Sequence, residues 1–259
     1  MNPPQRLGTS VIIPYRDRPI QLERTLRSIR NYSTAEVLVV DDGSASKAGA
    51  ELASQFGAFY AELPHPATLR EPWPFRLAAA RNLGAALSSG VDLLFNDVDV
   101  SHERGLVDQV EEQALIEPLA IILPRLVYKS DTEGEPDRLS RPELYSQHES
   151  HDWHVSRAWL SAWMGFSFVP RIVFNAVGGF DQAYEGWGPE DMDFAYRAAR
   201  QGFQFCYTSR GTGTHWPHPS QPDKSKRARA NSQLFQEKHG FPLPCELIRP
   251  SGKESRVRV

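Results

Sequence analysis

The sequence predicts an α/β fold, with a mostly parallel central sheet flanked by helices in a single domain whose C-terminal half is more irregular. Three observations predict it. The apolar runs Val11-Ile12-Ile13, Val37-Leu38-Val39-Val40 and Leu93-Leu94-Phe95 have the length and residue types of buried strands. Between the first two, Ile20, Leu22, Leu26 and Ile29 recur near the helical period among charged residues. Strand, helix and strand within about 30 residues form a βαβ unit, whose right-handed crossover makes its strands parallel.

The first strand closes at Pro14 and the second breaks at Asp41-Asp42-Gly43-Ser44. Ala48 to Phe56 reads as a helix and Ala58-Phe59-Tyr60 as a third strand. Pro64 to Pro74 holds four prolines and is expected to be loop. Phe75 to Leu87 is alanine-rich and helical, ending near Gly90. Beyond Leu93-Leu94-Phe95 the alternation weakens. Leu119 to Leu123 and Phe166 to Val169 read as strands, and Lys129 to Ser150 as a long polar loop or flap. Gly178-Gly179-Phe180 introduces a turn, and Met192, Phe194, Ala195 and Ala198 give Glu190 to Gln201 a packed helical face. From Lys224 to Val259 the chain is basic and turn-rich, with its last ten residues expected to be loosely held. These stretches make one domain, divided into a half over 8–100, a second over 101–222 and a basic extension over 223–259.

Composition narrows the function classes. With 40% hydrophobic and 24% charged residues the chain is expected to fold rather than stay disordered. A formal charge of -3 supplies no basic field to gather nucleic acid. No apolar run is long enough for a transmembrane helix, and Met1 to Ser10 lacks the apolar core of a secretory signal. Cys206 and Cys245 make neither a disulfide framework nor a zinc cluster, so a reducing, cytoplasmic setting is expected.

Open α/β sheets present functional residues at the carboxyl ends of their strands. Here those ends carry Pro14-Tyr15-Arg16-Asp17-Arg18, Asp41-Asp42 and Asp97-Val98-Asp99. Arginines suit diphosphate oxygens through paired hydrogen bonds. An aspartate at a strand end can accept from a base N–H or a ribose hydroxyl, although Asp41 and Asp42 also suit a plain turn. Two acids separated by one residue in an extended segment point the same way. One of them can touch a sugar nucleotide while the other binds a hard divalent cation bridging its phosphates. His215-Trp216-Pro217-His218 can present two imidazoles on one side of a turn, which suits manganese. His148, His151 and His154 lie in the polar flap without a further partner and are expected to be solvated. In Gly186-Trp187-Gly188-Pro189-Glu190-Asp191, a tight loop leads into carboxylates that favour a helix start. The tryptophan between glycines further suggests a stacking surface for a sugar, beside a carboxylate able to deprotonate a hydroxyl.

Taken in order, these motifs, with Ala80-Arg81-Asn82-Leu83-Gly84 and Gly178-Gly179-Phe180, resemble a GT-A (Rossmann-like) glycosyltransferase over roughly Ser10 to Pro219. The first half is similar to the inverting family 2. The second is similar to the galactosyltransferase-type region of β-1,4-galactosyltransferases, polypeptide N-acetylgalactosaminyltransferases and chondroitin polymerases. The resemblance implies that 8–100 bind the nucleotide sugar while 101–222 complete the metal and acceptor sites. Pro14, Tyr15, Arg16 and Arg18 would line the diphosphate pocket, with Asp41 or Asp42 at the uracil. Arg81 and Asp97 would reach the donor, and Asp99, His218 and His215 would ligate Mn2+ or Mg2+. His215 stands where β-1,4-galactosyltransferases carry methionine, and Pro189 where those relatives often carry glycine. Trp187, Gly188 and Glu190 would hold the acceptor, with Asp191 as general base beside Glu190.

The implied partners are a UDP-sugar of the galactose, N-acetylgalactosamine or glucose type and an acceptor that is a glycan, a lipid-linked saccharide or a peptide. The basic run Lys224, Lys226, Arg227 and Arg229 suggests a peripheral contact with an anionic membrane or an acidic acceptor, a cover over donor phosphates, or a plain solvated face. Two other classes compete. A sugar nucleotidyltransferase would want a glycine-rich phosphate loop, absent from Pro14 to Pro19. A non-catalytic carbohydrate-binding module would use Trp153, Trp159, Trp163 and Trp187 but leaves the arginine and aspartate strand ends unexplained.

Overall fold

The structure is a computed structural model, and it describes residues 8–64, 73–132, 135–140, 159–160, 162–218 and 224–243. Its strands are β1 (Thr9–Tyr15), β2 (Glu36–Asp41), β3 (Phe59–Glu62), β4 (Asp92–Asn96), β5 (Val100–His102), β6 (Ile121–Tyr128), β7 (Arg138–Leu139), β8 (Phe166–Pro170) and β9 (Phe205–His215). They form one sheet in the order β3-β2-β1-β4-β8-β6-β9-β5, with β7 paired to β6. The helices are α1 (Pro19–Tyr32), α2 (Ala48–Gln55), α3 (Leu77–Leu87), α4 (Leu106–Ile116), α5 (Arg171–Val177), α6 (Glu190–Arg200) and α7 (Lys224–His239).

The apolar runs become strands for the expected reason: every residue of β1 and β4 is buried, as in a sheet covered on both faces. β3, β2, β1 and β4 are mutually parallel, whereas β8 runs antiparallel to β4 and β6. The sheet is therefore parallel through its N-terminal half and mixed beyond it. The pleat of β1 sends Ile12 into one core and Val11 and Ile13 into the other. The second core packs Leu22, Leu26 and Ile29 of α1 with Val107 and Val110 of α4. The first contains Ala78 and Ala85 of α3 and an aromatic group including Phe95, Phe174, Phe180 and Phe194.

The irregular half contains more regular structure than its sequence suggests. β6 starts at Ile121 rather than Leu119, which is exposed in the preceding turn, and runs on to Tyr128. α4, α5, β5 and β9 fall where no element is expected. The stretch expected to be turn-rich from Lys224 becomes a helix as far as His239, because Ala228, Asn231 and Phe235 bury one of its faces. The last ten residues and the histidines of the polar flap lie outside the described residues. Among the described residues no helix is long and apolar enough to cross a membrane.

Candidate active site

The chain crosses from β1 to β2 on one side and reaches β4 on the other, which makes the β1/β4 boundary a topological switch point. Ligands of open α/β sheets bind at the carboxyl edge of such a boundary. Its residues are those the sequence singles out, together with several it does not.

The carboxylates at the end of β2, Asp41 and Asp42, are held mainly by the protein itself. Asp41 Oδ1 accepts from the Ser44 amide and hydroxyl, both at 2.8 Å, and its Oδ2 accepts from Tyr60. Asp42 is buried and accepts from the Arg76 amide at 2.6 Å and Arg76 Nε at 2.7 Å. Arg16 approaches Asp42 at 4.0 Å, donates to the Trp73 carbonyl at 3.0 Å and lies over the Trp73 ring. Pro14 and Tyr15 form the buried end of β1. Arg76 and Trp73 are thus partners that the sequence reading did not name, and the signal was slight: a tryptophan and an arginine bracketing the entry to α3.

Asp99, His215 and His218 come together as expected, from the turn after β4 and the end of β9. One ligand atom from each lies within 4.8 Å of the others. Asp99 Oδ2 is 3.0 Å from His218 Nε2 and accepts from Arg18 at 2.8 Å. Its Oδ1 is buried without a hydrogen bond, 3.6 Å from His215 Nε2. Burial works against the Asp99 carboxylate, but His218, His215 and Arg18 together hold it below its usual range. Burial likewise keeps His215 below its ordinary value, favouring the neutral imidazole that a metal needs. One carboxylate and two imidazoles, with a buried oxygen left over, form a donor set that fits manganese.

Asp97 and Asp99 do not share one partner set. Asp97 Oδ1 accepts from Arg81 at 3.1 Å, and the same guanidinium donates to Glu190 Oε1 at 3.1 Å. Arg81 is 1% exposed, and its Nε and Glu190 Oε2 are buried without partners. Burial and the neighbouring Asp191 push Glu190 up to about 7, against the pull of Arg81. Asp191 is partly exposed and is also raised, by burial first and with Arg81 opposing. Buried polar atoms rarely lack partners, so orphans on Asp99, Arg81 and Glu190, with Asp97 between them, mark where a ligand belongs.

Local sequence explains how the acids are delivered. Along α3, Arg81 reaches the acids and Asn82 exchanges two 2.8 Å hydrogen bonds with the Phe180 backbone. Gly84 lets the helix sit on β1, since a Cβ there would overlap Ile12. Trp187 and Gly188 precede Pro189, whose peptide bond is cis, and α6 begins at Glu190 with three acids in its first turn. Gly165 accepts from the Asp97 amide at 2.6 Å and lies so close to the Asp97 and Trp163 side chains that a Cβ would collide with both. Trp163 and Tyr128 flank His215 at ring distances of 5.9 and 5.2 Å, a pairing that only the sheet reveals. Trp159 is buried against Tyr196 and Phe235, so it is core rather than a sugar platform. Trp153 lies outside the described residues.

Comparison with known proteins agrees with this arrangement. Residues 10–168 match the model of glycosyl transferase family 2, and residues 146–219 match that of the N-terminal domain of galactosyltransferase. Validoxylamine A glucosyltransferase of Streptomyces hygroscopicus subsp. jinggangensis is 28% identical over 91% of this chain and 62% of its own length. Chondroitin synthase of Escherichia coli is 27% identical over 89% of this chain and 38% of its own. The chain thus spans less than two thirds of the length of these curated relatives. Among solved structures, S. aureus TarS 1-349 superposes with a TM-score of 0.62 at 14% identity, covering 89% of this chain and 66% of that one. GalNAc-T7 with UDP, GalNAc and Mn2+ gives a TM-score of 0.62 at 16% identity, covering 93% and 52%. Both share the GT-A fold with this chain.

Proposed function

The chain belongs to glycosyl transferase family 2, and from that premise we propose that it transfers a hexose or N-acetylhexosamine from a UDP-sugar to an acceptor hydroxyl with inversion. The observation that carries the proposal is the convergence of the Asp99–His215–His218 triad with the Arg81-held acids Asp97 and Glu190 at the β1/β4 switch point. Solved structures of the same fold support the donor class, since TarS has been determined with UDP-GlcNAc and GalNAc-T7 with UDP, GalNAc and Mn2+.

Asp99, His215 and His218 would hold the cation, Mn2+ or Mg2+. When bound, it supplies positive charge to offset that on a departing nucleoside diphosphate. Arg16 and Arg18 lie at the same edge and add charge of the same sign without a metal. Asp97 is aimed by Arg81 and would accept from a ribose or sugar hydroxyl. Glu190, fixed by Arg81, would orient the acceptor with Trp187 and Gly188. Asp191, the more exposed of the acidic pair, would take the acceptor hydroxyl proton as the oxygen attacks the anomeric carbon. Its raised pKa makes it a stronger base than an ordinary aspartate. Asp41 and Asp42 shape the nucleotide pocket through Ser44, Tyr60 and Arg76, with a direct contact to uracil open to either.

The test measures UDP release from UDP-galactose, UDP-N-acetylgalactosamine and UDP-glucose with a panel of 4-nitrophenyl glycosides as acceptors. Asp191→Asn should lower transfer by about a hundred- to ten-thousand-fold with UDP binding retained. Undiminished transfer in that variant would remove the assigned base.

A further inference from the structure

The segment that carries the acceptor-side residues does not hold itself in place. Gly186 has φ 79°, and its amide donates to the Phe75 carbonyl at 3.2 Å. On its other side lies α7. Asn231, at 6% exposure, donates from one amide nitrogen to the carbonyls of Gly188 at 2.6 Å, Glu185 at 2.9 Å and Trp187 at 3.3 Å. A side-chain amide carries two N–H donors, so it can gather neighbouring carbonyls that curve around it. The packing is tight: a Cβ on Gly186 would overlap the Arg227 side chain. Further along α7, Lys238 pairs with Asp181, and His239 Nε2 lies 2.8 Å from Asp193 Oδ1. The helix therefore braces both ends of the stretch from Asp181 to Asp193, with Asn231 at its middle.

We propose that Asn231 is a positioning residue for the acceptor side of the crevice. By fixing the 185–188 curve it sets where Trp187 sits and where α6 starts, and thus the geometry of Glu190 and Asp191. This rests on the assignment of those residues to the acceptor. The Asn231 amide donates to the backbone of Glu185, Trp187 and Gly188, whereas Asp99 on the donor side is contacted by Arg18, His215 and His218. Loss of its amide should loosen acceptor geometry and leave UDP binding alone.

The experiment compares the full chain with Asn231→Ala and Asn231→Asp, the latter placing a carboxylate oxygen against the same carbonyls. Three quantities are measured: UDP affinity with Mn2+, transfer to the 4-nitrophenyl glycosides, and amide hydrogen exchange along the chain. Expected are UDP affinity within about twofold of wild type and an efficiency loss of about tenfold to a hundredfold, mainly in acceptor KM. Exchange should quicken over 185–191 while β1 and β4 stay protected. Unchanged acceptor KM, unchanged exchange over 185–191, or an equal rise in exchange throughout the chain would overturn the proposal. If the wild type turns over none of these acceptors, the transfer assignment fails by itself. The exchange pattern then decides whether Asn231 holds the loop.

Discussion

The guanidinium of Arg81 lies 3.1 Å from the carboxylate of Glu190, across 109 residues of sequence, and both side chains are closed to water. The same group holds Asp97 at 3.1 Å, so one buried cation links the end of β4 to the start of α6. Removing it strands the buried carboxylate of Glu190 and leaves the quarter-exposed Asp97 without its cation. Arg81→Met should cost about 3–5 kcal/mol of stability. Arg81→Lys should cost less, because the charge remains while the forked geometry is lost. Urea denaturation of the two variants checks the order; equal stability in Arg81→Met and wild type would contradict it.

The acid limb of the pH–rate profile should reflect the Glu190/Asp191 pair. Both are raised by burial, Glu190 to about 7, and a base works only when deprotonated. Transfer should therefore be full where both are ionised and fall as pH drops through their titration, by up to about tenfold per unit. A rate flat down to the ordinary aspartate range of about 4, with folding intact, would place the base elsewhere.

His102 gives a separate pH signature in stability. It is fully enclosed, its Nε2 lies 2.8 Å from Asn96 Oδ1, and burial pushes it down to about 3 from an ordinary 6.5. Above 6.5 the folded and unfolded chains are both neutral at this site, and it contributes no slope. Between 6.5 and about 3 only the unfolded chain takes the proton, so stability falls with pH. The limiting slope is about 1.4 kcal/mol per unit. His102→Gln keeps a donor for Asn96 and should flatten this part of the curve.

Metal affinity should follow the triad. His218→Ala or His215→Ala should weaken Mn2+ binding by about tenfold or more, measured by the electron-paramagnetic signal of free Mn2+. Chelation should lower the thermal midpoint of the wild type and leave Asp99→Ala nearly unmoved, because a ligand bound only by the folded state stabilises it.

Gly165→Ala should harm both folding and donor binding. The new methyl would press Asp97 against its Arg81 contact and displace the Trp163 ring. Overpacking of this kind costs about 1–3 kcal/mol. Thermal melts and UDP affinity should fall together.

The N-terminal half of the fold was legible because its strands are buried on both faces, so Val11-Ile12-Ile13 and Leu93-Leu94-Phe95 are continuous apolar runs. The grouping of Asp99 with His215 and His218 was legible because Asp97-Val98-Asp99 lies just beyond such a run and the two histidines lie three apart. β9 and α7 were not. β9 carries Thr212, Gly213 and Thr214 where an apolar run would be expected, and its pairing with β6 is non-local. α7 opens on a basic run from Lys224 to Arg229, and Ala228, Asn231, Leu234 and Phe235 on its packed side are too few and too mixed to mark a helix. Arg76 and Asn231 were missed for one reason: each acts on backbone or side-chain atoms brought close only by the tertiary fold. Asp41 and Asp42 were correctly placed at a strand end, yet Ser44, Tyr60 and Arg76 account for contacts that sequence leaves open.

The most direct test of the central claim is a calorimetric titration of the purified protein with UDP, first with Mn2+ and then with excess chelator. The account predicts micromolar binding that requires the metal and is lost in Asp99→Ala. Absence of binding in both conditions, from protein shown to be folded, would contradict it.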